Sequence, residues 1–176
     1  MKKTTWIART ALCLALLICL QFATKSMGQF VTGSCVNLVL AMASILGGVW
    51  SGLTVAIVSP FCAYVLGIGP AFFQLVPCVA LGNAVYSLVF GLLVSKPLLQ
   101  KKLLPALGLM VLAALAKFAA LYVVLVRLVA PMIVPAAKLP VVTASFTWPQ
   151  LVTACIGGLL ACLIGPVVYR AVSKGK

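Results

Sequence analysis

A chain of 176 residues that is 65% hydrophobic and only 7% charged excludes an ordinary soluble globular domain and has room for one helical membrane domain. Its 13 basic residues stand against no Asp, no Glu and no His, so there is no carboxylate or imidazole to serve as metal ligand, general base or ion-path residue. Nucleic-acid binding needs basic residues clustered on one wetted face, whereas these fall mostly between apolar spans, where they act as topology signals.

In chain order, Met1 to Lys3 is a basic start and residues 6–24 form the first apolar span. A cleaved signal peptide opens in the same way, but Phe22-Ala23-Thr24-Lys25 is a poor small-x-small exit, so the segment reads as a retained helix. Ala8, Ala11 and Ala15 recur at spacings of three and four and place small residues on one face, where another helix can approach closely.

After the polar connection Lys25 to Gln29, the second span covers 30–50 and carries Thr32, Ser34 and Asn37 near its start. Gly47-Gly48 to Ser51-Gly52 reads as a tight turn into a third span, 53–66, which Pro60 is expected to kink or end. Gly67 to Pro70 is a further turn. The fourth span, 71–94, has Gln74 near its opening and is expected to be interrupted at Pro77 and at Gly82-Asn83. Residues 95–102 are the clearest hydrophilic loop.

The fifth span, 103–130, holds the feature that needs explaining. A bilayer core of about 30 Å needs roughly 20 helical residues, and this run exceeds that. A helix starting at Leu103 reaches Lys117 after about 21 Å and Arg127 after about 36 Å, which puts the lysine inside the core and the arginine near its far edge. An unpaired lysine at that depth costs a few kcal/mol, so it belongs against a polar cavity, a partner or a ligand. The chain has no acid to neutralise it. At about 100° per residue, Lys117 and Arg127 lie about 80° apart, so both are expected to border one cavity at different heights.

Pro131, Pro135 and Pro140 punctuate a loop that runs through Thr147, and the sixth span covers 149–169, opening at Trp148-Pro149-Gln150. Its Gly157, Ala161 and Gly165 form a second ladder of small residues, read as internal helix packing. The seven cysteines are scattered through apolar segments without a C-x-x-C pair and read as packing residues.

The fold class is therefore all-α, a polytopic integral membrane protein with six transmembrane helices in a single domain. Nine basic residues (Lys2, Lys3, Arg9, Lys96, Lys101, Lys102, Arg170, Lys174, Lys176) fall on one side against Lys25 and Lys138 on the other, so the N and C termini are expected to be cytoplasmic. Gln29, Asn37, Gln74, Lys117, Arg127, Lys138, Trp148 and Gln150 then fall towards the outer half as candidates for one pocket.

Without acids or histidine, a self-powered carrier and most hydrolytic chemistry are disfavoured, and no G-x-x-x-x-G-K-[ST] loop is present to bind ATP. Lys117 with Ser145 or Ser34 remains as a nucleophile and base pair, with no recognisable motif around it. Binding, or transport energised by another protein, is the expectation; a small self-sufficient transporter or channel and a non-transport assembly factor remain as alternatives.

Six spans in so short a chain, the Ala11-x-x-x-Ala15 pair, Val31-Thr32-Gly33-Ser34-x-x-Asn37, Ala80-Leu81-Gly82-Asn83 and Phe146-Thr147-Trp148-Pro149-Gln150-Leu151 together resemble the substrate-binding S components of energy-coupling factor (ECF) transporters. The similarity runs over essentially the whole chain. It implies a non-enzymatic subunit of a bacterial cytoplasmic membrane that captures a vitamin or related micronutrient in a pocket near the outer surface, closed by the loop between helices one and two. It also implies a transmembrane coupling subunit, contacted through Ala8, Ala11 and Ala15, and two cytoplasmic ATPases that hydrolyse ATP, so that the chain itself carries no cofactor.

On this reading Lys117 pairs with an anionic group of the ligand, Asn37 and Asn83 give directional hydrogen bonds, Trp148 or Tyr122 forms a wall, and Gln74, Arg127 and Gln150 complete the site. Several have a plainer role open to them. Asn83 is placed to bridge helices, Trp148 to anchor at the interface, Tyr122 to pack, and Arg127 to snorkel to headgroups.

Overall fold

Apolar runs bounded by Gly or Pro set the elements. The structure, a computed structural model, describes residues 3–94 and 102–174. It contains α1 (Lys3–Thr24), α2 (Gln29–Gly47), α3 (Val49–Val65), α4 (Val76–Leu93), α5 (Leu103–Ala120), α6 (Ala130–Ile133), α7 (Leu139–Ser145) and α8 (Trp148–Lys174). Short 3-10 turns at Lys25–Met27 and Phe73–Leu75 lead into α2 and α4, and a π-wound stretch, Leu121–Val129, extends α5. The hydrophilic loop expected at 95–102 lies outside the described residues except for Lys102, as do Lys2, Lys96, Lys101 and Lys176 of the charge count.

The fold is all-α, that of a polytopic membrane protein. Five helical segments are long and apolar enough to cross a bilayer, and α3 is a shorter apolar helix of 17 residues. The apolar exteriors fit this, since Leu12, Leu16, Leu104, Val111, Leu112, Leu159 and Leu163 all point outward. Inside, Leu17, Leu40, Val55, Tyr86, Phe90 and Ala114 form one continuous core across the bundle. A satellite cluster of Leu75, Leu121, Leu125, Val126 and Ala130 packs under Leu139, Val142 and Phe146 of the segment that leads to α8.

Several boundaries differ from the sequence expectation. The second span ends at Gly47, and a single residue, Gly48, makes the turn, so Trp50 belongs to α3. Gly48 has φ +84°, which glycine adopts without steric cost, and one residue is therefore enough to reverse the chain. Pro60 does not end α3, which continues to Val65; the proline is buried within the helix, where it forgoes the single backbone bond to the Ala56 carbonyl. The fourth span starts at Val76 rather than Ala71. Pro77 sits in its first turn, where a missing N–H is harmless, and so starts the helix instead of interrupting it.

Gly82-Asn83 does not break α4 either. An added Cβ on Gly82 would lie 2.6 Å from Leu121 Cγ, so the glycine is a seat for α5. The proline-punctuated loop contains α6 and α7, and the final helix runs past Tyr169 to Lys174 through Pro166. The π winding of Leu121–Val129 stands just before Pro131, which has no N–H for the Arg127 carbonyl four residues back.

The ladder on α8 behaves as expected. A Cβ on Gly157 would approach the Ser34 carbonyl oxygen and the Leu38 nitrogen at 2.6 Å, so α8 lies directly on the α2 backbone. Gly33 similarly admits Thr153. This close seam holds the first turns of α2 and α8 together at the end of the bundle away from the chain ends, where the cavity opens.

Candidate functional site

Close packing of α2 on α8 puts Asn37 opposite Thr153, and Asn37 Nδ2 donates to the Gly33 carbonyl at 2.8 Å and to Thr153 Oγ1 at 3.4 Å. With its nitrogen so held, Asn37 Oδ1 is free to accept from elsewhere. Lys117 on α5 reaches it: Nζ donates to Asn37 Oδ1 at 2.7 Å and to Asn83 Oδ1, on α4, at 2.8 Å. Lys117 is only 2% exposed, and the Tyr86 ring centroid lies 5.8 Å from Nζ. Tyr86 is in turn fixed by its hydroxyl, which donates to the Ala154 carbonyl at 3.4 Å.

The ammonium is thus solvated by two neutral carbonyl oxygens and a ring face, and neutralised by none of them. Amide dipoles lower the cost of burying a charge but do not cancel it. An ammonium has three donors, and two are used, which leaves one for a group in the space beside it.

That space is a cavity of about 380 Å³. Lys117, Asn37 and Asn83 line its depth; Gln21 and Lys25 of the first helix and its exit, Gln29, Thr32, Ser145 and Gln150 supply further polar groups; Pro60, Ala63, Ile68, Leu75, Val79 and Phe146 supply apolar ones. At about 30 Å³ per water molecule it has room for about a dozen waters, the scale of a small metabolite. A mostly apolar wall with a few convergent polar groups is the usual make-up of a small-molecule site.

Its mouth is tied together by backbone carbonyls. Gln29 Nε2 donates to the Ser145 carbonyl, which also accepts from Gln150 Nε2 at 3.4 Å. Thr32 Oγ1 donates back to the Thr24 carbonyl at 2.7 Å, which fixes the short turn between α1 and α2 beside the opening. Lys25 stands exposed in that turn with its Nζ 4.7 Å from the Phe22 ring centroid.

Of the residues expected from sequence, the structure brings Lys117, Asn37, Asn83 and Gln150 to one cavity, together with Gln29. Gln74 is exposed in the turn before α4 and does not line it. Trp148 is 59% exposed and packs on Phe30, with ring centroids 5.5 Å apart, outside the cavity. Tyr122 and Arg127 border a separate, more open pocket of about 390 Å³ with Pro131, Leu139 and Thr143, and the Arg127 guanidinium lies 5.5 Å from the Tyr122 ring centroid. The wider winding that starts at Leu121 turns through fewer degrees per residue than an α-helix, which is why a rotation extrapolated from Lys117 misplaces Arg127. Lys138 is exposed at the start of α7.

Gln21 lines the cavity without having been singled out from sequence, and Lys25 and Thr32, read there as an outer charge and as a polar residue opening the second span, line it as well. For Gln21 a signal was present: Thr10, Cys13, Leu17 and Gln21 fall at spacings of three and four and form the buried stripe of α1. A glutamine on an inward stripe is a polar group in need of a partner. Ala8, Ala11 and Ala15 occupy the opposite, exposed face of the same helix. No known family, no curated protein and no solved structure matches the chain.

Proposed function

We propose that the protein is the substrate-binding subunit of an ECF-type importer in a bacterial cytoplasmic membrane. It captures a vitamin or related small micronutrient from outside and passes it inward when docked to a transmembrane coupling subunit and two cytoplasmic ATPases. The observation that carries this reading is Lys117, a buried ammonium solvated by Asn37 and Asn83 beside a metabolite-sized cavity, in a chain without an acid to neutralise it. A site so arranged is completed by the anionic group of a ligand.

Two further features support it. The cavity lies at the end of the bundle where Lys25 and Lys138 sit, which the charge bias assigns to the outside, with both termini cytoplasmic. On α1, Ala8, Ala11 and Ala15 form an exposed shelf of small side chains with Ile7, Leu12 and Leu16 beside it, a surface on which a partner helix packs closely.

Affinity purification from native membranes tests the assignment. The wild-type chain is expected to bring down one further membrane protein and two ATPases, and Ala11→Trp with Ala15→Trp to lose them while still folding. Purification of the chain alone from membranes that express such ATPases, or uptake by liposomes holding this chain and no other protein, would contradict it.

A further inference from the structure

Among the described residues, Gln21, Ser59 and Ser87 carry buried side-chain oxygens without a hydrogen-bond partner, and of these three Gln21 lines the cavity. It is 8% exposed, and the unpartnered atom is its Oε1. Its position on the inward stripe of α1 is fixed by Cys13 and Leu17 in the turns before it, so it cannot turn away to solvent without unpacking the helix. A buried amide left unpaired is destabilising, and such groups find partners in ligands when the protein offers none. In either orientation of its amide, Gln21 is uncharged and is matched by a group that both donates and accepts, a hydroxyl or another amide.

Charge narrows the ligand from the other side. Among the described residues every ionic side chain at the cavity is a cation, Lys117 in its depth and Lys25 at its mouth, and the chain has no Asp or Glu. A ligand ammonium would be placed near one of two lysines with only neutral dipoles to meet it, a like-charge contact in a low-dielectric site.

Resting on the binding-subunit reading, we infer that the ligand of this cavity is a net-anionic organic acid that carries a neutral hydroxyl or amide: its anionic group meets Lys117 and its neutral group meets Gln21. Zwitterions and cations are rejected. Gln21 is thereby a specificity residue, separating acids that bear the neutral group from plain acids of the same size, since a plain acid leaves the buried amide unpaired.

Isothermal titration of the detergent-purified full chain with matched compounds of four to six carbons tests this. The probes are the ω-hydroxyalkanoates, the plain alkanoates, the ω-aminoalkanoates and the ω-hydroxyalkanamides. The hydroxy acids are expected to bind tightest, plain acids roughly tenfold more weakly, and the amino acids and neutral amides weaker still. In Gln21→Met the preference for the hydroxy acid over the plain acid is expected to disappear; in Lys117→Met both acids are expected to bind roughly 10- to 100-fold more weakly.

Equal or tighter binding of the amino acids or neutral amides, or a hydroxy-acid preference that survives Gln21→Met, overturns the inference while leaving a binding subunit in place. Absence of binding by all four classes also overturns it. The binding-subunit reading itself is judged separately, by whether purified protein carries any metabolite at all.

Discussion

Lys117 donates to Asn37 across 80 residues of sequence and 2.7 Å of space, and the contact joins two of the helices that line the cavity. The bond is one of solvation without neutralisation. A group that is tolerated rather than stabilised where it sits has a reason to be there other than the fold, and this sets the sign of the first prediction.

Lys117→Met is expected to weaken binding of an anionic ligand roughly 10- to 100-fold, the loss of one charge-assisted hydrogen bond of about 1.5–3 kcal/mol. Thermal unfolding of the ligand-free protein is expected to stay near wild type or rise. The variant leaves the Asn37 and Asn83 carbonyls with one partner fewer, but it also removes an uncompensated buried charge. A large fall in ligand-free stability would mean that Lys117 holds the bundle together.

Asn83→Asp is the complementary experiment. A carboxylate in place of the amide oxygen 2.8 Å from Nζ supplies from within the counter-charge that the proposed ligand would bring. Ligand-free stability is expected to rise and anion binding to fall, as read by unfolding and titration on the same preparation. Asn83→Leu goes the other way and is expected to destabilise by about 1–3 kcal/mol, because it strands the ammonium on a single carbonyl.

Gly157→Ala probes the seam that positions Asn37. Its Cβ would meet backbone atoms of α2 at 2.6 Å, and backbone does not move aside as a side-chain tip does. A loss of about 1–3 kcal/mol is expected, with weaker ligand binding because α2 is displaced. Gly108→Ala on α5 is the control: nothing lies within 4 Å, and helix propensity favours alanine by up to about 1 kcal/mol, so stability is expected to be unchanged or slightly raised.

Ala11→Trp and Ala15→Trp place bulk on an exposed face of α1 without touching the buried stripe of Thr10, Cys13, Leu17 and Gln21. Ligand binding and unfolding temperature are expected to match wild type, while uptake by cells that depend on the protein is abolished. Uptake at wild-type rate in both variants would contradict the proposed coupling contact at this face.

Much of this was legible in the sequence because a bilayer makes each residue's depth readable from its position in a span. Lys117 lay too deep to face lipid, and Asn37 and Asn83 entered as its companions through the motifs of the family resemblance. Lateral placement was less legible. Arg127 was misplaced because a π-wound stretch intervenes, and nothing before Pro131 announces it; Tyr122, at the start of that stretch, borders the same outer pocket as Arg127. Trp148 and Gln150 are two residues apart on α8, yet only Gln150 reaches the cavity, since residues i and i+2 of a helix point about 200° apart. Gln74 fell outside because the turn before α4 ends at Leu75, which carries the inward position. Gln21 was legible as the last residue of the buried stripe Thr10, Cys13, Leu17 and Gln21 on α1, opposite the alanine face.

The most direct test of ligand capture at Lys117 is mass spectrometry of small molecules released by denaturing the detergent-purified protein, wild type beside Lys117→Ala. The expected result is a single anionic metabolite carried at near one per protein and missing from the variant. Release of nothing from wild-type protein grown in vitamin-rich medium, or equal retention of the same metabolite by Lys117→Ala, would contradict it.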